Sequence, residues 1–262
     1  MESALSVDEL LIERDGPVAT IRINRPEAMN AFTPEMSLAF AERLAELRVD
    51  DAVRVLILTG TGRAFSAGAD LKALSEPGQL GRSAEVGYER VKAAGLRTAQ
   101  LMEFPKPTIA AVNGAVAGFA CGLVFACDVI LAGESARFGI TFSRIGYVPD
   151  AGVSYFLPRL AGLPRAKELF FSGEVISAAE ADRIGLVNRV LPDQELMMTA
   201  VELARKIAER PPAALRMGKE ILNRSLGADF RAVIELEAKA QGFLGTTEEH
   251  QDAVREFVRK KK

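Results

Sequence analysis

A layered α/β core that gives way to a run of helices is the fold class this sequence predicts. Two patterns predict it. Through most of the chain, short apolar runs of strand length alternate with helical stretches, and strand pairs recur before helices. Beyond them, the last quarter reads as helix after helix. The length of 262 residues suits one large domain, or a domain with an appendage. Residues 1–195 are assigned to the core and 196–262 to a helical C-terminal region.

Taken in order, Leu10 to Ile12 and Val18 to Ile23 read as strands around an Asp15-Gly16-Pro17 turn. Thr33-Pro34-Glu35 is a helix start, with a cap, a proline at the first position and an acid in the first turn. Met36, Phe40, Leu44 and Leu47 then repeat at helical spacing. Val53 to Thr59 is a buried strand, followed by the Gly60-Thr61-Gly62 turn and a small-residue segment from Arg63 to Lys72. Ser75 to Gly87 reads as a loop and Tyr88 to Glu103 as a helix.

Pro107 to Cys127 is apolar almost throughout, with Asn113 the main polar break. Ile109 to Val112 reads as a strand and Asn113-Gly114 as a turn. Gly114, Gly118 and Gly122 fall four apart, which on a helix makes one bare face. That face suits close packing of helices, or approach of a ligand. A strand, a tight turn and a helix start aim unpaired backbone N–H groups at one spot, which favours negative charge or a polarised carbonyl oxygen. The stretch is long enough to span a bilayer, but the Asn-Gly turn breaks it and charged amphipathic segments flank it.

Val129 to Ala132 is another short strand; Ala136 to Gly146 reads as irregular, and Tyr147 to Gly152 as a turn. A helix is expected from Ala151 to Leu157. Ser177-Ala-Ala-Glu180 is a capping box whose helix Gly185 closes. Leu186 to Leu191 is a strand. Helices follow over Asp193 to Glu209, Ala213 to Leu226 and Asp229 to Leu244, with a last one after Thr246.

Composition narrows the function. The chain is 48% hydrophobic and 26% charged with a net charge of −2, so it carries no electrostatic footprint for nucleic acid. Cys121 and Cys127 are spaced for neither a disulfide framework nor a metal knuckle, and read as core thiols of a reducing compartment. His250 is the single histidine, which argues against a Ser-His-Asp triad, a Cys-His pair or a histidine-rich metal site. The N-terminal MESALSVDELL lacks the basic and apolar regions of a signal peptide, so a cytoplasmic protein without membrane or metal is expected.

Seven segments in one order resemble the crotonase family of enoyl-CoA hydratases and isomerases. Arg25 to Ala31 resembles its RP-x-A-L-N-A segment, Ala64 to Lys72 its AF-x-AGAD-[IL]-K segment, and Pro107 to Gly114 its KP-x-IAAVNG segment. Glu134 to Phe138 and the segments between Leu157 and Val187 follow the pattern too. The resemblance implies a spiral of ββα units with a helical C-terminal region, acyl-CoA thioester substrates and assembly as trimers or paired trimers. It implies no cofactor beyond the coenzyme A that the substrate carries. By position it gives the oxyanion-hole N–H groups to Ala69 and Phe119, the latter in place of the family's usual glycine. Binding of the substrate and its CoA falls to Ala28, Met29, Ala67, Gly68, Asp70, Leu71 and Lys72, with Phe142 and Tyr147 at the acyl group. Phe257 and Lys260 are expected to add to it from a neighbouring subunit, although a basic C-terminal tail also reads as a solvated helix end.

The sequence departs from the family's hydratases, which use two glutamates. Those positions are Gly122 and Phe142 here, and neither side chain can move a proton. A carboxylate stands instead at Asp150, in a VPDAG setting similar to that of some family isomerases. One base suffices to shift a double bond. The duller role for Asp150 is to cap the following helix. The same position holds the nucleophile of the family's aromatic dehalogenases, but those also need a tryptophan, and this chain has none. Asp70 is expected to hold its turn's backbone and Asp128 to be structural. Glu76, Glu85 and Glu89 are candidates for a second acid. Three readings therefore stand: an isomerase with Asp150 as single acid/base, a hydratase-like or thioester-hydrolysing enzyme using a loop acid, and a catalytically silent acyl-CoA-binding protein.

Overall fold

The computed structural model describes residues 9–72 and 83–259. Strands β1 (Leu10–Asp15) and β2 (Val18–Ile23) form an antiparallel hairpin. Helix α1 (Pro34–Val49) starts as its sequence dictates, with the Met36 N–H donating to the Thr33 hydroxyl at 3.2 Å. Its four apolar residues at helical spacing are all buried, each contributing about 1.5–3 kcal/mol.

The middle of the chain then repeats one unit three times. Strands β3 (Val55–Gly60) and β4 (Ala64–Ser66) precede α2 (Ala84–Met102). Strands β5 (Thr108–Val112) and β6 (Ala115–Ala117) precede α3 (Phe119–Phe125). Strands β7 (Val129–Gly133) and β8 (Arg137–Gly139) precede α4 (Val153–Ala161). Each unit lays its first strand in one sheet and its second in another. The chain continues through α5 (Leu163–Ser172), β9 (Val175–Ser177), α6 (Ala178–Arg183) and β10 (Arg189–Leu191). The six-stranded sheet has the order β1-β2-β3-β5-β7-β10, parallel beyond the first hairpin; the four-stranded sheet is β4-β6-β8-β9. This is the expected ββα spiral.

Strand periodicity builds a core on each face of the larger sheet. Leu56, Leu58, Ala110, Val112, Ile130 and Ala132 face the main core, which includes the apolar side of α1. Val55, Ile57, Ile109, Ala111 and Leu131 face the other way, onto Leu196, Ala200 and Ala204 of α7 (Leu196–Ala208). Helices α8 (Pro212–Ser225), α9 (Phe230–Leu244) and α10 (Glu248–Arg259) complete the chain. So α7 is a layer of the core, and the more exposed helices begin after it.

Several local expectations are corrected. Gly114, Gly118 and Gly122 do not share a helix face, because Ala115–Ala117 is a strand and α3 begins only at Phe119. Arg137–Gly139, expected to be irregular, is a strand paired on both sides, to β6 and β9. Helix α2 begins at Ala84, capped by Ser83, so residues 84–87 are helix rather than loop. The capping box of α6 is half formed: Ser177 accepts from the Glu180 N–H, but the Glu180 carboxylate turns to Arg183 at 2.7 Å. Residues 107–127 fold as strand, turn, strand and short helix, and among the described residues no helix is long and apolar enough to cross a membrane.

Candidate active site

Two turns, one after β4 and one after β6, meet at a single point. The first is held by an arginine and two asparagines. Asn30, fully buried in a left-handed conformation (φ 57°), accepts from the Arg25 N–H at 2.8 Å and donates to the Thr61 and Ala64 carbonyls at 2.9 and 2.7 Å. Asparagine tolerates that conformation because its amide bonds locally to backbone. Asn113 completes the frame, accepting from the Gly60 N–H and donating to the Gly62 carbonyl. The Ser66 hydroxyl donates to the Asn30 carbonyl at 2.7 Å and accepts from the Gly68 N–H at 3.1 Å. Arg25, Asn30 and Ser66 lay inside segments quoted for the resemblance, but no framing role was expected of them. A buried asparagine at positive φ is the signal that would have found Asn30.

Asp70 holds this turn as expected. Its carboxylate accepts from Arg25 at 2.6 Å and from the Lys72 N–H at 3.0 Å. The same Arg25 guanidinium donates to the Ala31 carbonyl at 3.1 Å. Replacing Asp70 with alanine leaves a largely buried cation without this partner. Such a loss is expected to cost about 1.5–3 kcal/mol, read as a lower thermal midpoint of unfolding. Asp128 is structural too: it accepts from the Thr108 N–H and from Lys219, both at 2.7 Å.

Phe32 brackets the Ala69 N–H. Its own N–H donates to the Gly68 carbonyl at 2.8 Å, and its carbonyl accepts from the Asp70 N–H at 3.0 Å. Its ring stands edge-on to the Phe119 ring, with centroids 5.2 Å apart. Phe119 opens α3, so its N–H has no partner within the helix. Gly118 before it has φ 57° and ψ −134°, and its Cα faces open space. The turns touch at Gly68, where an added methyl would lie 2.6 Å from the Ala117 carbonyl oxygen and 3.6 Å from the Phe119 nitrogen. Neither the Ala69 nor the Phe119 N–H has an acceptor among the described residues. Two backbone donors thus stand on turns that touch, with no acceptor among the described residues.

Asp150 lies on a third segment, between the short helical turn of Thr141–Ile145 and α4. It does not cap α4. That helix begins at Val153 behind Gly152, and no side chain caps it. The turn is closed by backbone instead, the Val153 N–H donating to the Asp150 carbonyl at 2.8 Å and the Ser154 hydroxyl to that of Pro149 at 2.9 Å. The carboxylate atom Oδ1 of Asp150 is buried and has no hydrogen-bond partner among the described residues. Burial pushes its pKa above the ordinary 3.8, partly opposed by the Arg90 guanidinium of α2.

The remaining expected residues divide. Ala28 and Met29 are half-buried, and the Ala67 N–H donates to the Met29 carbonyl at 2.9 Å, joining the first two segments. Ala67, Leu71 and Lys72 are exposed beside them. Phe142 is packed in the main core at 5% exposure, whereas Tyr147 is half exposed. Phe257 is exposed on α10, and Lys260 lies outside the described residues. Glu85 and Glu89 are exposed on α2, the helix that carries Arg90; Glu76 lies outside the described residues. Both cysteines are fully buried, and their thiols are pushed up to about 12 by desolvation.

Comparison with known proteins fits this geometry. A family model described as enoyl-CoA hydratase/isomerase matches residues 13–262. A short-chain-enoyl-CoA hydratase of Clostridium acetobutylicum is 36% identical over 260 residues, covering 98% of this chain and 97% of the relative. A 1,2-epoxyphenylacetyl-CoA isomerase of Escherichia coli is 35% identical, covering 93% of each. The crystal structure of an enoyl-CoA hydratase from Bacillus anthracis superposes with a TM-score of 0.91 at 33% identity, covering 96% of each chain. The two facing N–H donors, the ββα spiral and these end-to-end matches agree: the chain belongs to the enoyl-CoA hydratase/isomerase family.

Proposed function

We propose that this protein is an acyl-CoA isomerase that moves a double bond with Asp150 as its single acid/base. The observation that carries the reading is the Asp150 carboxylate itself, with a buried oxygen that no described residue satisfies. Such a group costs stability, and contact with a substrate is one reason for a fold to keep it. In the reaction, the thioester carbonyl oxygen accepts from the Ala69 and Phe119 N–H groups. Asp150 takes a proton from C2 of a 3-enoyl-CoA, and the C2 electron pair delocalises onto the thioester oxygen as a dienolate. The same carboxyl returns its proton to C4, leaving the 2-enoyl-CoA and an ionised Asp150. No water and no second base enters.

The positions that the family's hydratases give to glutamate support this reading. Gly122 lies against the Asp150-Ala151 turn, and Phe142 is built into the core. The CoA moiety is assigned to Ala28, Met29, Ala67, Leu71 and Lys72, which lie together on the first two segments. Phe257 and Lys260 of a neighbouring subunit join them in a homotrimer or a dimer of trimers. Exposed Leu222, Leu226, Phe230 and Phe243 on the C-terminal helices support such an assembly.

The hydratase names of several relatives favour a second reading, in which Glu85 or Glu89 on α2 supplies a second acid for hydration. One experiment separates the two. The protein is incubated with 3-enoyl-CoA and 2-enoyl-CoA in D₂O, following bond position, hydration and deuterium uptake. Isomerisation with deuterium entering at C2 or C4, and little hydration, is the expected result. Hydration as the main reaction would move the assignment to the α2 acids. Binding without turnover or exchange would leave an acyl-CoA-binding protein.

A further inference from the structure

Gly122 and Ala151 touch backbone to backbone, one residue from Asp150. A methyl group added at Gly122 would overlap the Ala151 carbonyl oxygen and stand 3.0 Å from its carbonyl carbon and 3.2 Å from its Cβ. The atoms in the way belong to main chain, so no side-chain rotation clears them. Ala151 is 3% exposed and held at φ 46°, a conformation unfavourable for any residue with a Cβ. On either side of it the turn is fastened by the Val153 N–H to the Asp150 carbonyl and by Ser154 to Pro149. The turn therefore leans on α3 at the one place where α3 has no side chain, and Asp150 is the next residue along.

We infer that Gly122 is the positioning residue for Asp150: its bare Cα lets the 150–152 turn seat against α3. The inference rests on Asp150 as the base proposed above. It goes further, because it gives the bare Cα at 122 a part in seating that base.

The test is a double-mutant cycle of Gly122→Ala and Asp150→Asn, with 3-enoyl-CoA isomerisation and acyl-CoA affinity measured on folded, assembled protein. Gly122→Ala is expected to lower kcat by about tenfold to a hundredfold, the scale set by an ångström of misplacement, with KM held within about twofold. In the Asp150→Asn background it is expected to cost nothing further in kcat, because the group it displaces is no longer a base. Wild-type kcat in Gly122→Ala overturns the inference. So does a loss of equal size in both backgrounds, which marks a general structural defect. Should Gly122→Ala not fold, Ala151→Gly loosens the same turn without adding an atom. It is expected to lower kcat by about threefold or more, again only while Asp150 is present. Equal effects of Ala151→Gly in both backgrounds overturn the inference. Full exchange in Asp150→Asn alone would instead remove the base assignment, so the two failures are told apart.

Discussion

Asp150→Asn is expected to reduce isomerisation and C2 deuterium exchange by about 10²–10⁴-fold, the range for loss of a positioned acid/base. Acyl-CoA affinity, measured by titration calorimetry, should stay near wild type, because the proposed CoA contacts lie on other segments. The pH profile of the wild type carries the same information. Burial raises the Asp150 pKa above 3.8, and only the ionised form takes the proton from C2. The rate should therefore rise with pH through that raised value and then level off. The stability linkage has the opposite sense. A carboxyl whose pKa is raised by folding stabilises the fold when protonated. That contribution is complete below the ordinary value of 3.8 and is lost as pH rises through the folded one. Asp150→Asn should accordingly melt above wild type at neutral pH, with the difference shrinking as pH falls. A variant that is both inactive and more stable is the signature of a group kept for chemistry. Equal melting temperatures across pH would mean that the carboxylate is solvated.

Phe119→Pro should lose about 10²–10³ in kcat, the usual effect of removing one oxyanion-hole donor. Proline suits this position structurally. Phe119 is the first residue of α3, where a proline's fixed φ is accommodated and the missing N–H breaks no helix bond. Phe119→Ala separates ring from backbone. It keeps the N–H and gives up the edge-on contact with Phe32, and is expected to retain most of the activity. If alanine and proline are equally damaging, the ring and not the N–H is what the site uses.

The parts of the fold that were legible carried their signals locally. Helix α1 could be bounded from Thr33-Pro34-Glu35 and four apolar residues at helical spacing, and β3 from its unbroken apolar run. Strands β4, β6, β8 and β9 were missed, because each has three residues, too few for any period, and each exists only through distant partners such as Ala115 with Arg137. The even spacing of Gly114, Gly118 and Gly122 misled for the same reason. Gly114 meets the Arg63 carbonyl, Gly118 turns the chain into α3, and Gly122 meets Ala151, three separate demands. The Ala69 and Phe119 N–H groups were named through motifs quoted from the resemblance. Phe32, which joins them by backbone and ring, was not, because nothing in a phenylalanine marks it as a clamp. Asp150 was legible as a carboxylate but not as an unsatisfied one, since that depends on what fails to surround it.

The contact between Gly122 and Ala151 also couples two distant parts of the chain. A side chain added at 122 while the 150–152 segment is seated meets main-chain atoms of Ala151. The segment would have to shift to make room, and Asp150 with it. Residue 122 and the 150–152 turn are therefore a pair to be redesigned together, not one at a time.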